Sequence, residues 1–469
     1  MLHIQNAEAL CAVGDRESRR TALEILDETL HGLDSYHTLK RLAHVDEAGI
    51  LTIGERSWDL RQKRHVYVIG AGKAANAMAR AFDEILGDWL TDGVVIVKIP
   101  EERDKFRHLR LRVGGHPLPN QGGYEASLEI LELVDQAQPE DLFIGLMSGG
   151  CSSLMSCPME GMTLEEEMQT RDVMLKSGAN VVEVNAVCRH VSRVNGGKLA
   201  KRIEGRGAEM ICLLIQDALG FPRTTNPGKP VWFGFTPMAP DATTLEMAKE
   251  AIDHFHVAEK LPRKVLDFYA HCTQADETPK SLKRWTGYII NTLPDAAALA
   301  VQAAEKRGLR TLLLSNYLEG EAREVGTMFA SIAKEIRESG NPVAAPCVVV
   351  ATGEMSVRIP DTPGGVGGPG QEMAASFAIA ARNLDGVCVI SVDSEGTDGP
   401  TDSAGGITDS KTYGEAQQRG IDLYRALREH AVYKALSPLE CEVITGNTGT
   451  NLCDLHILYV PAVEKEAHT

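Results

Sequence analysis

The chain has 469 residues, 43% hydrophobic and 24% charged, the profile of an ordinary globular protein long enough for two or three domains. A formal net charge of −17 argues against a nucleic-acid partner, so a small anionic ligand would need a local basic pocket. Ten cysteines without C-x-x-C or zinc-type spacing read as reduced thiols; no signal core or membrane-length apolar run is apparent, so a cytoplasmic location without membrane contact is expected.

An amphipathic pattern predicts helix over 21–43. The β-branched run VYVI at 66–69 predicts a strand stopped by Gly70 and Gly72. Ala74, Ala77, Met78 and Ala81 then predict a helix packed closely on a sheet. Further strands are expected over 94–99, 142–147 and 210–215, alternating with helices, which is the signature of parallel sheets covered on both faces. Residues 222–240, rich in Pro, Gly and Thr, predict a long surface loop, and 244–275 a helical region. A second series of strands is expected over 287–291, 311–315, 347–352, 386–392 and 442–445. The expected fold class is α/β: two domains, 1–270 and 285–469, with largely parallel sheets and an interdomain cleft for the ligand.

The turn Gly70-Ala71-Gly72-Lys73 admits two readings. Gly70, Gly72 and Ala75 satisfy the loose dinucleotide pattern, which also wants an acid about 20 residues on, at the end of the next strand. That strand ends on Lys98, and Glu101 and Glu102 come only beyond Pro100. Lys73 instead puts an ammonium where helix N–H groups attract anions, although no Walker loop is present. The balance leans towards phosphate.

Other candidate groups also follow strand ends, where open α/β sheets bind ligands. Ser148, Gly149, Gly150, Ser152 and Ser153 predict an anion nest. Cys151 at a helix start is a weaker candidate nucleophile, for want of a matching histidine. Arg189, His190, Arg193 and Lys198 form either a carboxylate or phosphate site or a solvated basic face. Asp217 ends a strand as a candidate base, metal contact or turn residue. Further on, Gly367 and Gly368 belong to a glycine-rich loop feeding a helix at Gln371 and Glu372. With Thr448, Thr450 and Asn451, a polar cradle expected to open a helix beside Asp454, they are the candidate nucleotide site. The acid-rich loop of Asp393, Glu395, Asp398 and Asp402 could carry Mg²⁺, with Glu395 and Asp398 as candidate ligands. Nests, a lysine, basic residues and an acidic loop fit phosphoryl transfer, which relies on positioning and charge neutralisation.

GAGKAA, GGHPLP, SGG-x-SSL, SGAN…EVN…RH-x-SR-x-x-GGKLA, GQE, GTDGPTDSAG and TGTNL-x-DL together resemble the glycerate 2-kinase family, whose C-terminal half is the MOFRL domain. The resemblance covers nearly the whole chain. It implies transfer of the γ-phosphate of ATP to the 2-hydroxyl of D-glycerate with a divalent metal, Lys73 and Asp217 being catalytic. It also implies site roles for the serine–glycine nest, the basic helix, Glu354, Gln371, Glu372, Asp398, Asn451 and Asp454. Departures gather at those positions. Cys151 replaces a glycine, Gly220-Phe221-Pro222 replaces an acidic pair, and Glu395 and Cys453 replace an aspartate and an asparagine. The loop over 366–372 lacks both family arginines, one of them implied to be catalytic. Two alternatives stay open: a relative acting on or binding another sugar acid without ATP, and an NAD(P)-dependent hydroxypyruvate reductase, disfavoured by Lys98. The expected partners are a small anionic substrate and a nucleotide, with a homodimer left open.

Overall fold

The computed structural model describes residues 3–219, 228–231, 233–234 and 236–462. Two compact units emerge, called central and terminal after their places in the sequence. The central unit is Ser35–Ile215 with Asn226–Ile290; the terminal unit is Met1–Asp34, Gln216–Thr225 and Asn291–Thr469. The division differs from the expected 1–270 and 285–469, because the first 34 residues and a segment starting at Gln216 group with the C-terminal half.

The central unit begins with a small antiparallel sheet that the sequence reading did not anticipate, β1 (Ala43–Val45), β2 (Ile50–Ile53) and β3 (Arg56–Asp59). Six strands follow: β4 (Val66–Ala71), β5 (Asp92–Val97), β6 (Leu109–Val113), β7 (Leu142–Met147), β8 (Glu209–Gln216) and β9 (Trp285–Thr292). Their spatial order is β6-β5-β4-β7-β8-β9, and the pairs from β6 through β8 are all parallel. Every residue of β4 and β7 is buried, as a sheet covered on both faces demands. Ala75, Ala77, Ala79 and Ala81 are fully buried, so the helix Ala75–Leu86 lies close on this sheet, as the small-residue spacing predicts. The helix Gln121–Asp135, capped where Asn120 accepts the Gly123 N–H, buries Ala126, Ile130, Leu131 and Val134 in the same core. Each such large aliphatic side chain stabilises the fold by roughly 1.5–3 kcal/mol. β9, expected to open the second domain, adds instead to the edge of this first sheet.

The terminal unit holds β10 (Arg310–Glu321), β11 (Cys347–Ser356), β12 (Cys388–Asp393), β13 (Gly405–Asp409), β14 (Glu442–Val443) and β15 (Asp454–Val460), ordered β10-β11-β15-β12-β13-β14. Among the described residues of this sheet only β10 and β11 pair in parallel; the other four pairs are antiparallel, so the expectation of a largely parallel sheet holds for the central unit and not for this one. Asp454 opens a strand, not the expected helix flank. Alternate residues of each strand face opposite cores. Val348, Val350, Ile390 and Ile457 meet Leu23, Leu26 and Leu30 of the helix Arg16–Leu33 and Ala297 and Ala300 of the helix Leu293–Glu305. Val349, Ala351, Val389 and Leu458 meet Phe329 and Phe377 on the other side. The N-terminal helix is tied down by an ion pair between the fully buried Arg19 and Asp409.

Of the loop expected over 222–240, residues 222–227, 232 and 235 lie outside the described residues, as does the Gly220-Phe221-Pro222 departure. The described part is not superficial: Phe233, Thr236, Met238 and Ala239 are buried. Among the described residues no helix is long and apolar enough to cross a membrane.

Candidate functional site

In the central sheet β5 and β6 lie on one side of β4, and β7 and β8 on the other. The reversal puts the switch point at the carboxyl ends of β4 and β7, the place where such sheets bind ligands. The turns leaving these two strands are clasped. The Lys73 N–H donates to the Gly149 carbonyl (2.9 Å), the Ser148 N–H to the Ala71 carbonyl (3.2 Å), and the Ala74 N–H to Ser148 Oγ (3.0 Å). A β-carbon at Gly72 would lie 2.0 Å from Ser148 Oγ and 2.8 Å from its backbone nitrogen, so the close approach requires glycine. Gly150, at φ 80°, then starts the short helix Cys151–Leu154.

The clasp takes up part of the donor set at this edge. The N–H groups of Lys73, Ala74, Ala75 and Cys151 bond to Gly149, Ser148, Gly72 and Ser148 respectively. Formal positive charge for an anion has to come from side chains. Lys73 and Ser152 are both half-buried, whereas Ser148 and Cys151 are buried. One residue at this edge was missed by the sequence reading. His116, in the turn after β6, lies against Gly150: a β-carbon there would be 2.8 Å from its Cδ2 and 3.2 Å from its Nε2. The GGHPLP motif was the signal that could have found it.

The basic residues at 189–198 are brought to the same neighbourhood, because Asn195 Nδ2 donates to the carbonyls of Ser152 (2.9 Å) and Met155 (3.3 Å). They do not form the expected basic face. Arg189 is buried, and its Nη1 donates to Asp241 (2.9 Å), which also accepts the Thr243 N–H and hydroxyl. Burial pushes the Arg189 guanidinium down, opposed by Asp241. His190 sits between the Ala186 carbonyl at Nδ1 (2.7 Å) and Glu277 at Nε2 (2.8 Å). Burial raises the Glu277 carboxyl, but His190, the Leu245 N–H and Lys280 outweigh it and bring it to about 2. Lys198 donates to the His190 and Ser192 carbonyls (2.6 and 2.8 Å), and burial pushes its ammonium down to about 8. Arg193 remains half-buried; its backbone N–H bonds to Cys157. Asp241 and Glu277 gave no signal in the sequence, because their partners lie 52 and 87 residues away.

In the terminal unit the carboxyl ends of β11 and β12 lie beside the amino end of the antiparallel β15, where Asp393 pairs directly with Asp454. Asp454 accepts the Met355 N–H (2.8 Å). The Cys453 thiol donates to the Asp217 carbonyl (3.2 Å). Burial, then the carboxylates of Asp217, Glu354, Asp393 and Asp454, push that thiol well up. The strand-end aspartate, Glu354 and Asp454 of the expected site therefore do come together, around a residue where the family has an amide. Asn451 Nδ2 donates to Glu395 (3.2 Å), while Thr450 Oγ1 and Asn451 Oδ1 are buried with no hydrogen-bond partner among the described residues. Thr448 donates to the Ser394 carbonyl.

The expected metal ligands are otherwise engaged. Glu395 accepts from Thr397 (2.7 Å) and Asn451, and Asp398 accepts the Gly370 and Gln371 N–H groups (3.2 and 2.9 Å). Burial pushes the Asp398 carboxyl up to about 7. Among the described residues no three carboxylate, thiol or imidazole side chains are grouped to hold one ion. The same contacts close the helix start after Gly367 and Gly368: in Pro369–Ala380 an internal aspartate occupies the place expected for a phosphate. Gln371 Nε2 donates to Thr401 (2.8 Å), and the buried Glu372 joins His430 (2.8 Å) and Arg323 (3.3 Å). At the end of β5, Val97 is followed by Lys98; beyond it Glu101 pairs with Arg80 (3.4 Å), and Asp104 with Arg80 and Asn76. The ribose acid of a dinucleotide site is not at that strand end.

Residues 21–270 match the family described as Domain of unknown function (DUF4147), and residues 347–454 match the MOFRL family. Fold and site thus define an α/β protein of the DUF4147–MOFRL type. The chain is 35% identical to a glycerate 2-kinase of Pyrococcus horikoshii, over 94% of this chain and 97% of that one. It is 35% identical to a D-glycerate 2-kinase of Thermotoga maritima, over 84% and 90%. A protein of Agrobacterium vitis with a provisional hydroxypyruvate reductase name is 34% identical over 84% and 98%. The crystal structure of a Thermotoga maritima glycerate kinase superposes with a TM-score of 0.75 at 32% identity, covering 94% of this chain and 99% of that one. The chain belongs to the glycerate 2-kinase family.

Proposed function

We propose that this protein transfers the γ-phosphoryl group of ATP to the 2-hydroxyl of D-glycerate. The observation that carries the reading is the clasp at the β4–β7 switch point, which fixes the Lys73 backbone against Gly149 and so fixes where its ammonium starts. The substrate hydroxyl oxygen attacks the γ-phosphorus, the bond to the β-phosphate oxygen breaks and ADP leaves. Lys73 neutralises charge on the transferring group, and Asp217 takes the hydroxyl proton. Such catalysis is mainly positioning and charge stabilisation. Ser152 and Arg193 offer donors to the acid. Thr450 and Asn451, whose buried side-chain oxygens have no hydrogen-bond partner among the described residues, are taken as nucleotide contacts in preference to Gly367, Gly368, Gln371 and Glu372, the last two being held by internal bonds. Mg²⁺ uses one or two carboxylates with water and phosphate oxygens. The carboxylates around Cys453 suit that role better than Glu395 and Asp398; the ion would neutralise nucleotide phosphate charge.

Incubation with ATP, MgCl₂ and D-glycerate should yield ADP and 2-phosphoglycerate, and Lys73→Met should abolish both without altering the circular dichroism spectrum. A folded wild-type protein that forms neither product overturns the assignment. The cation-free loop at 361–370 and the capped helix after it favour a second reading, binding of another sugar acid without ATP. Thermal stabilisation by sugar acids and not by ATP would select it, since a ligand of the native state raises Tm.

A further inference from the structure

We propose that His116 is a ligand-contacting residue of the central unit, its imidazole acting with Lys73 to hold an anionic oxygen of the hydroxy-acid substrate. The inference rests on the phosphotransfer reading above and adds a residue to it.

Three observations lead to it. The first is the state of the turn donors: the backbone N–H groups of residues 73, 74, 75 and 151 are bonded within and between the two clasped turns. Side chains at this edge add donors where those N–H groups offer none. The second is that several basic residues nearby are engaged elsewhere. Arg189 pairs with Asp241, His190 with Glu277, and Lys198 with two carbonyls.

The third is how firmly His116 is placed. Ser153, in the helical turn that follows Gly150, sends its hydroxyl towards the Gly115 carbonyl (3.0 Å) and the Pro117 carbonyl (2.8 Å). These two carbonyls flank His116, so the backbone on both sides of it is held by the clasped turn itself. The ring occupies the space that a side chain at Gly150 would fill. Gly150 follows Gly149, whose carbonyl holds the Lys73 backbone. His116 is half-buried at the sheet edge where such folds bind ligands. An imidazole so held offers a donor in either protonation state, and a charge-assisted one when protonated.

The test is steady-state kinetics of the wild type and His116→Gln, varying D-glycerate and ATP separately. Loss of a hydrogen bond to a charged group should raise KM for D-glycerate about tenfold or more, leave KM for ATP within about twofold and leave Tm unchanged. A merely structural histidine would lower Tm or shift both KM values together, and that result overturns the proposal, as does an unchanged KM for D-glycerate. A measurement without substitution guards against misfolding of the variant: carbethoxylation of His116 in the wild type, followed by mass spectrometry. D-glycerate should slow modification at His116 and ATP alone should not; modification indifferent to D-glycerate overturns the proposal. Wild-type turnover separates the two levels of inference. If the wild type forms no 2-phosphoglycerate, the kinase reading fails; if it does and His116→Gln behaves like it, only the role of His116 fails.

Discussion

Gly72→Ala probes the clasp most directly. The added β-carbon would lie 2.0 Å from Ser148 Oγ, 2.8 Å from its nitrogen and 2.9 Å from its carbonyl oxygen, at a φ of 149° that L residues rarely adopt. Rotating the Ser148 side chain relieves only the first of these contacts. The other two are backbone, so the β4 and β7 turns must move apart by several tenths of an ångström. Overpacking of this kind costs about 1–3 kcal/mol, and the unfavourable φ adds about 1 kcal/mol or more. The expected loss is therefore about 2–4 kcal/mol in urea unfolding of the central unit. The parting of the turns also carries the Lys73 backbone away from Gly149. A misplacement near 1 Å can lower turnover about 10²-fold, so kcat should fall by roughly ten- to a hundredfold under saturating ATP and D-glycerate. Wild-type stability and kcat in Gly72→Ala would refute the idea that this close approach positions the lysine.

Asp217→Asn should lower kcat about 10²–10⁴-fold with little change in Tm if the carboxylate takes the hydroxyl proton; equal losses in kcat and Tm would mark it as structural. Arg19→Met leaves Asp409 charged and buried, and should destabilise the terminal unit by about 3–5 kcal/mol in denaturant titration. Burial lowers the His456 imidazole from 6.5 to about 3, so it favours folding above 6.5 and that contribution is lost as pH falls towards 3. Going from about pH 8 to about pH 5, the wild type should lose about 2 kcal/mol more than His456→Asn, a difference readable from paired urea curves.

The parts of the fold legible in the sequence were those with local causes. VYVI before Gly70 and LFIGLM before Ser148 are continuous apolar runs ended by small residues, and both form buried strands where expected. Strands without that contrast were lost. GGITD lacks side chains to declare itself, and DLHILYV follows a turn-rich cradle that read as a helix start. Which sheet a strand joins was not legible either, since β9 and the helix Arg16–Leu33 each pack far from their sequence neighbours. In the site, Lys73 and Ser148 were visible as residues after strand ends. The fate of the basic residues depended on Asp241 and Glu277, and the glycine-rich loop on Asp398, all contacts that spacing cannot encode. His116 fell in a turn after β6, a strand the apolar pattern had not revealed.

The docking of Arg16–Leu33 against β11, β12 and β15 sets an order of events during synthesis. This helix is made early, yet the strands that cover its leucines are made last, so on the ribosome its apolar stripe waits for most of the chain. At about 5–20 residues per second the delay is on the order of tens of seconds to a minute and a half. The central unit, whose strands are nearly consecutive, can close meanwhile. Nascent chains stalled before β15 should therefore expose Leu23, Leu26 and Leu30 to hydrophobic-binding chaperones, while the fold around Lys73 is already protected from proteolysis.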